Sequence, residues 1–130
     1  MSDDHALSRL EPLVLVAVGG FAGAALRYVV ALALPGAVPW GTLAANCLGS
    51  FALGVVLYER HFVDALSVET RLVVGTGFLS SFTTYSTFAA ETASLAGGQA
   101  PTLAAANVAA NYALGVTGVV CGRWVARWLS

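Results

Sequence analysis

Four apolar stretches alternate with short polar or glycine- and proline-bearing breaks along this chain. They run at about residues 12–34, 40–58, 72–95 and 102–126. Each approaches the roughly 20 residues that a helix needs to cross hydrocarbon, so the pattern predicts an all-α membrane protein of four transmembrane helices. The breaks carry the expected punctuation. Pro35-Gly36 and Pro39 separate the first two stretches, and Glu59-Arg60-His61 with Asp64 and Glu69 precedes the third. Gly97-Gly98-Gln99-Ala100-Pro101 closes the third stretch.

The third stretch breaks the pattern from within. Ser80-Ser81-Phe82-Thr83-Thr84-Tyr85-Ser86-Thr87-Phe88 places hydroxyls and rings midway along an otherwise apolar segment. Lipid offers no hydrogen-bond partners, so such a run belongs beside protein or water rather than facing lipid. Phe78, Phe82, Tyr85 and Phe88 follow helical spacing and predict an aromatic stripe. Ser and Thr compete for backbone hydrogen bonds and bend or break membrane helices. Carbonyls freed by a break commonly hold a cation, while the positive edges of aromatic rings suit an anion.

Composition agrees with a membrane class. Of 130 residues, 58% are hydrophobic and 10% charged, against about 25% charged in a soluble domain. The formal net charge of −1 gives no reason to expect nucleic acid as a partner. The N-terminal residues 1–11 are polar and mostly acidic, without the basic region of a signal peptide, so the first apolar stretch reads as a retained span. Every cation is an arginine. Arg9, Arg60, Arg71, Arg123 and Arg127 fall on one side of a four-span arrangement, and the opposite loops carry no basic residue. The positive-inside rule then places both termini and the middle loop in the cytoplasm of a multi-pass protein of the cell membrane. Cys47 and Cys121 read as small buried hydrophobes. With no C-x-x-C spacing, no nucleophile–base set, and both His5 and His61 in polar flanks, the chain does not read as an enzyme.

Small residues punctuate the spans: Gly19, Gly20, Gly23 and Ala24 in the first, Gly41, Ala45, Gly49 and Gly54 in the second, and Gly115, Gly118 and Gly122 on one face of the fourth. They let helix backbones approach closely, and close packing on several faces points to an oligomer. Four polar positions stand out beside them. Arg27 lies about two thirds of the way along the first span, either snorkelling to the interface or facing an aqueous vestibule that attracts anions. Asn46, near the middle of the second span, offers two amide donors to an anion or to a neighbouring helix. Asn107 and Asn111, four apart on the fourth span, line either a path or a hydrogen-bonded seam. Glu91 is the only acid within the spans, one turn past the aromatic run and toward the end of the third span, where it reads as an interfacial carboxylate.

Taken in order, Gly19-Gly20 with Gly23-Ala24 and Arg27-Tyr28, then Gly41-Thr42-Leu43 with Asn46 and Gly49, then Gly77-Phe78 with Thr83-Thr84-Tyr85-Ser86-Thr87-Phe88, resemble the Fluc (CrcB) fluoride channel family. The resemblance covers nearly the whole chain. It implies passive, selective fluoride conduction that lowers cytoplasmic fluoride. The implied fold is an antiparallel, dual-topology dimer of two four-helix subunits, with the third helix broken near its centre. It implies a structural sodium ion on the dimer axis, held by backbone carbonyls matching Ser80 and Thr83. Pore phenylalanines of the family match Tyr85 and Phe88, flanked by Thr84, Ser86 and Thr87. The resemblance further assigns Asn46 to the anion path and Arg27 to a vestibule, and it matches Glu91 to the family's third-helix glutamate. Asn107, Asn111 and Tyr112 match a polar track on the fourth helix only approximately. This chain has Ser80 where the family usually has glycine, Tyr85 where it has phenylalanine, and Phe82 where a leucine is common.

The one-sided arginines add an expectation of their own. A chain that inserts both ways needs balanced charge, so this one is expected to insert in one orientation and pair with an oppositely oriented homologous subunit. The other readings are a non-conducting or obligate-heterodimer accessory subunit and a small multidrug transporter. The transporter needs a carboxylate in the first span, where this chain has Arg27.

Overall fold

The computed structural model describes residues 2–58, 64 and 66–129. Glu59, Arg60 and His61 of the charged loop lie outside them, as do the side chains of His5 and Arg9. Every element among the described residues is helical. Helix α1 is Ser2–Ala33, α2 is Trp40–Tyr58, and a third passage runs from α3 (Val68–Thr70) through a π-helix (Arg71–Leu79) into α4 (Ser80–Phe82). After two non-helical residues it resumes as α5 (Tyr85–Gly97), and α6 is Pro101–Leu129. Two of these, Leu10–Ala33 within α1 and α6, are long and apolar enough to cross a bilayer; α2 contributes a shorter apolar helix, Trp40–Val56.

Local chemistry sets the boundaries. Ser67 caps α3, its hydroxyl accepting from the Thr70 N–H. Thr84 caps α5 in the same way, accepting from the Thr87 N–H. The turn into α6 is closed by Gly98 N–H donating to Ser94 O and by Ala100 N–H donating to Leu95 O. Within that turn Gln99 adopts a left-handed backbone, with φ 64°. Pro101 then opens α6, where a missing N–H is harmless. Helix α1 begins well before the apolar stretch does and contains Pro12.

The helices pack chiefly in two pairs, α1 against the π-helix and α2 against α6. Glycine makes both contacts. A Cβ on Gly19 would overlap Val73 O, and one on Gly23 would overlap Phe78 O. Gly19 and Gly23 are four apart, one α-turn, whereas Val73 and Phe78 are five apart, the repeat of π-helical hydrogen bonding. The wider helix thus sets successive carbonyls against successive glycines. Across the other pair, a Cβ on Gly54 would overlap Val119 O, and one on Gly122 would overlap Phe51 O. Of the small residues read from the sequence, Gly19, Gly23, Gly54 and Gly122 are therefore sites of backbone-to-backbone approach.

Large apolar side chains point the other way. Leu13, Val14, Val18 and Phe21 on α1 are exposed, as are Val116, Val120 and Trp124 on α6. The buried set is smaller and partly polar: Ala45, Leu79, Phe82, Phe88, Ala104 and Ala126, with Thr42, Thr84 and Asn107. A bundle with apolar residues outside and small or polar ones inside is built for an apolar solvent.

Candidate functional site

The third passage leaves helical geometry at Thr83 (φ −79°, ψ 152°) and Thr84 (φ −150°, ψ 123°). Both residues are extended, so the Thr84 N–H is carried away from the carbonyl four residues back. It donates instead to Asn46 Oδ1 at 2.8 Å, while Asn46 Nδ2 donates to Thr84 O at 3.2 Å. One side-chain amide thereby pairs with both polar groups of a single residue's backbone, as a neighbouring strand would. This satisfies the groups that a break inside a bundle would otherwise orphan. Gly49, one turn along α2, admits the Thr83 methyl, which a Cβ at position 49 would overlap. The Thr83 hydroxyl turns back to donate to Leu79 O at 2.9 Å.

From Asn46 the hydrogen bonds continue in one direction. Its Nδ2 also donates to Asn111 Oδ1 at 3.0 Å, which commits both amide hydrogens. Asn111 donates to Asn107 O and Oδ1, each at 3.0 Å. Asn107 donates to Thr92 Oγ1 at 2.9 Å, and Thr92 donates to Phe88 O at 2.7 Å. The two alternatives for Asn107 and Asn111 resolve geometrically into a hydrogen-bonded seam joining α2, α5 and α6, with Asn111 also reaching the cleft described next.

A cleft of about 370 Å³ opens beside the break. Among its lining residues are Asn46, Ser80, Thr84, Tyr85, Phe88 and Tyr112. Phe88 is buried and sits between Tyr85 (ring centroids 5.7 Å apart) and Tyr112 (6.2 Å, edge-on). Phe78 and Phe82 instead stack on each other, at 5.7 Å and 12°. The expected single stripe of four rings is therefore two ring pairs on either side of Thr83 and Thr84. The physical reason is the break itself, which removes the helical phase that would have aligned them.

The chemistry of the cleft suits an anion that must not be held too tightly: hydroxyls and aromatic rings, with no cationic side chain among its lining residues. Family comparison decides what this arrangement belongs to. The family model described as CrcB-like protein, Camphor Resistance (CrcB), matches residues 14–123. The chain belongs to the CrcB family. It is 55% identical to "Fluoride-specific ion channel FluC 1" of Natronomonas pharaonis, over 91% of this chain and 96% of that one. It is 54% identical to the protein of the same name from Haloarcula marismortui, over 98% and 94%. A "Fluoride-specific ion channel FluC 2" of Halobacterium salinarum is 57% identical over 86% and 84%. This membership sets aside the multidrug-transporter reading and places the chain in an ion-channel rather than an enzyme family.

In this CrcB chain the residues singled out from sequence separate into three places. Asn46, Ser80, Thr83, Thr84, Tyr85, Phe88, Asn111 and Tyr112 line the cleft. Asn107 and Thr87 stand behind it, Thr87 accepting a 3.0 Å bond from the Thr84 hydroxyl and the exposed Ser86 lying 3.4 Å from that same hydroxyl. Arg27 and Glu91 do not line it. Arg27 is half-buried on α1. Glu91 is half-buried against the start of α2, where Oε1 accepts from the Thr42 hydroxyl at 2.9 Å. Its Oε2 is buried with no partner among the described residues. Sequence reasoning gave no role to Thr42 or Thr92. Thr42 lies in Gly41-Thr42-Leu43, one turn before Asn46, and Thr92 lies one turn after Phe88. That spacing was the only signal for either.

Proposed function

We propose that this chain is a subunit of a fluoride-selective channel that lowers cytoplasmic fluoride by passive export. The observation that carries this reading is the cleft at Thr83–Thr84, where the rings of Tyr85, Phe88 and Tyr112 stand beside hydroxyl groups, in a chain more than half identical to proteins named as fluoride-specific channels. Fluoride is small and strongly hydrated, so a path for it must replace water with several weak donors rather than one deep trap. In this reading Asn46, Thr84, Tyr85 and Phe88 border the anion path, with Ser86 and Thr87 beside them. Arg27 draws anions to the vestibule, and Glu91 stands midway along α5 against Thr42.

The reading extends to assembly. The chain crosses the cell membrane four times with both termini cytoplasmic, and its lipid-facing surface carries the exposed apolar residues of α1 and α6. The third helix is broken at Thr83–Thr84. Two subunits meet antiparallel across the break. The Ser80 and Thr83 carbonyls would hold a sodium ion, which would supply positive charge against the carbonyl dipoles there. Two features support the fit. Ser80 lies in the right-handed helical region (φ −66°, ψ −29°), so a serine carries no strain where glycine is usual. It is also exposed on the single subunit. The one-sided arginines favour a fixed orientation and an oppositely oriented homologous partner; of these, Arg71, Arg123 and Arg127 are exposed on the described structure.

Fluoride efflux from loaded liposomes tests the channel, with chloride as the selectivity control. Fluoride-selective flux from liposomes holding this chain alone supports conduction and overturns obligate pairing. Flux that needs a co-reconstituted homologue supports the heterodimer. Absence of flux in both overturns conduction and leaves an accessory subunit. Equal labelling of the termini from both sides of the membrane overturns the fixed orientation.

A further inference from the structure

We propose that Asn46 and Thr84 are positioning residues for the central cation, because their side chains capture the two backbone N–H groups that would otherwise occupy the Ser80 and Thr83 carbonyls. This rests on the cation part of the proposed function and assigns a job to two side chains that the sequence placed on the anion path.

In an unbroken helix each N–H returns to the carbonyl four residues back. The Thr84 N–H would then occupy Ser80 O, and the Thr87 N–H would occupy Thr83 O. Neither does. The Thr84 N–H donates to Asn46 Oδ1 at 2.8 Å, and the Thr87 N–H donates to the Thr84 hydroxyl at 3.2 Å. Each of the two carbonyls implied as cation ligands thus loses its helical donor to a specific side chain. Both captors are themselves held. Asn46 bridges Thr84 O and Asn111 Oδ1, and the Thr84 hydroxyl donates on to Thr87 Oγ1 at 3.0 Å. The Thr83 hydroxyl is tied back to Leu79 O. The extended dihedrals of Thr83 and Thr84 carry the diverted N–H groups toward these captors, and the captors hold them there.

Asn46 is thereby assigned a different task from that of an anion donor. Both of its amide hydrogens are committed inside the protein, and its acceptor oxygen performs the diversion. Groups that orient metal ligands from one bond away commonly change metal affinity 10- to 100-fold when removed.

The test is a sodium titration of the full chain, purified as it assembles in a buffer whose only other cation is N-methylglucamine. The unfolding temperature is read against sodium concentration. The wild type is expected to be stabilised by sodium. Stabilisation sets in near the sodium dissociation constant and then rises with the logarithm of concentration. Asn46→Leu and Thr84→Val, which keep shape but lose the captor atom, should raise that onset concentration by about tenfold or more. Thr92→Val, which removes a hydroxyl from the same network without touching either N–H, should keep the wild-type onset. General destabilisation lowers each variant's sodium-free baseline but leaves the onset alone. Should Asn46→Leu not fold, the Thr84→Val arm decides by itself. A wild-type onset in the captor variants, an equal shift in Thr92→Val, or no sodium response in the wild type overturns the proposal. Fluoride efflux of the wild type, measured alongside, is independent. Flux without a sodium response overturns the positioning role and leaves the channel standing, and the converse leaves the positioning role standing without the channel.

Discussion

Before Thr83 the third passage lies against α1, and among the described residues no side-chain hydrogen bond joins the two. After it, α5 is bonded through side chains to both α2 and α6. The first half is positioned by what is missing, since Gly19, Gly23 and Gly77 let carbonyls and Cα atoms meet with nothing between them. The second half is positioned by Asn46, Asn107, Asn111 and Thr92, each of which needs a donor or acceptor at a set distance. Steric approach of two backbones has a steep response, because neither side can yield. A chain of side-chain hydrogen bonds has a graded one, because partners rotate and neighbours compensate. One half is thus fit for rigid support, and the other for holding a broken backbone in one of its possible conformations.

The largest expected effect follows from the first half. Gly23→Ala drives a methyl into the Phe78 carbonyl, and Gly19→Ala drives one into the Val73 carbonyl. Overpacking commonly costs about 1–3 kcal/mol, and backbone on both sides puts these at or above the upper end. Gly97, at the end of α5, has open space around it and is the internal control. Reversible unfolding in detergent or bicelles should show a large loss for positions 19 and 23 and none for Gly97→Ala. Equal effects at all three would show that the α1 contact is looser than the geometry implies.

In the second half, Asn46→Leu strands Thr84 O and Asn111 Oδ1 together and frees the Thr84 N–H to return toward Ser80 O. Lost interhelical hydrogen bonds in membranes average near 0.6 kcal/mol and reach about 1.7 kcal/mol. With two acceptors orphaned, about 2 kcal/mol is expected from the same unfolding measurement. Thr42→Val removes one bond, to Glu91 Oε1, and leaves a carboxylate whose other oxygen already has no partner among the described residues. About 1 kcal/mol is expected there. If Thr42→Val exceeds Asn46→Leu, the weight of the second half lies at the α2–α5 contact rather than at the break.

These contrasts also mark how far the sequence could be read. The apolar stretch at 40–58 matches α2 because hydropathy and the flanking Pro39 agree on its start. The Ser- and Thr-rich run pointed to where the backbone leaves the helix, since hydroxyls compete for its bonds. The form of Arg71–Leu79 was not legible. Whether an apolar, glycine-bearing run winds as an α- or a π-helix is decided by the match of Val73 and Phe78 to the glycines of α1, a tertiary fit that periodicity does not carry. Asn46 was noticed for its amide, but the direction of its bonds follows from the extended dihedrals of Thr83 and Thr84. Thr42 and Thr92 are not legible as interhelical partners because a lone threonine in a helix more often bonds only its own backbone, as Thr117 does to Ala113 O; Thr92 makes that bond to Phe88 O and accepts from Asn107 as well.

The smallest predicted effect lies outside both halves, in the turn that lets α5 reach α6. Gln99 holds a left-handed backbone that costs a residue with a Cβ roughly 1–2 kcal/mol and costs glycine almost nothing. Gly98, beside it, takes a φ of −81° and has no need of that freedom. Gln99→Gly should therefore stabilise the folded chain. The greater entropy of glycine in the unfolded state offsets part of the gain, leaving about 0.5 kcal/mol by unfolding. The turn sets where α6 begins and hence the register of Asn107 and Asn111 against Thr92 and Asn46. If Gln99→Gly destabilises, a rigid residue at position 99 is holding that register, and the seam depends on its turn as well as on its own hydrogen bonds.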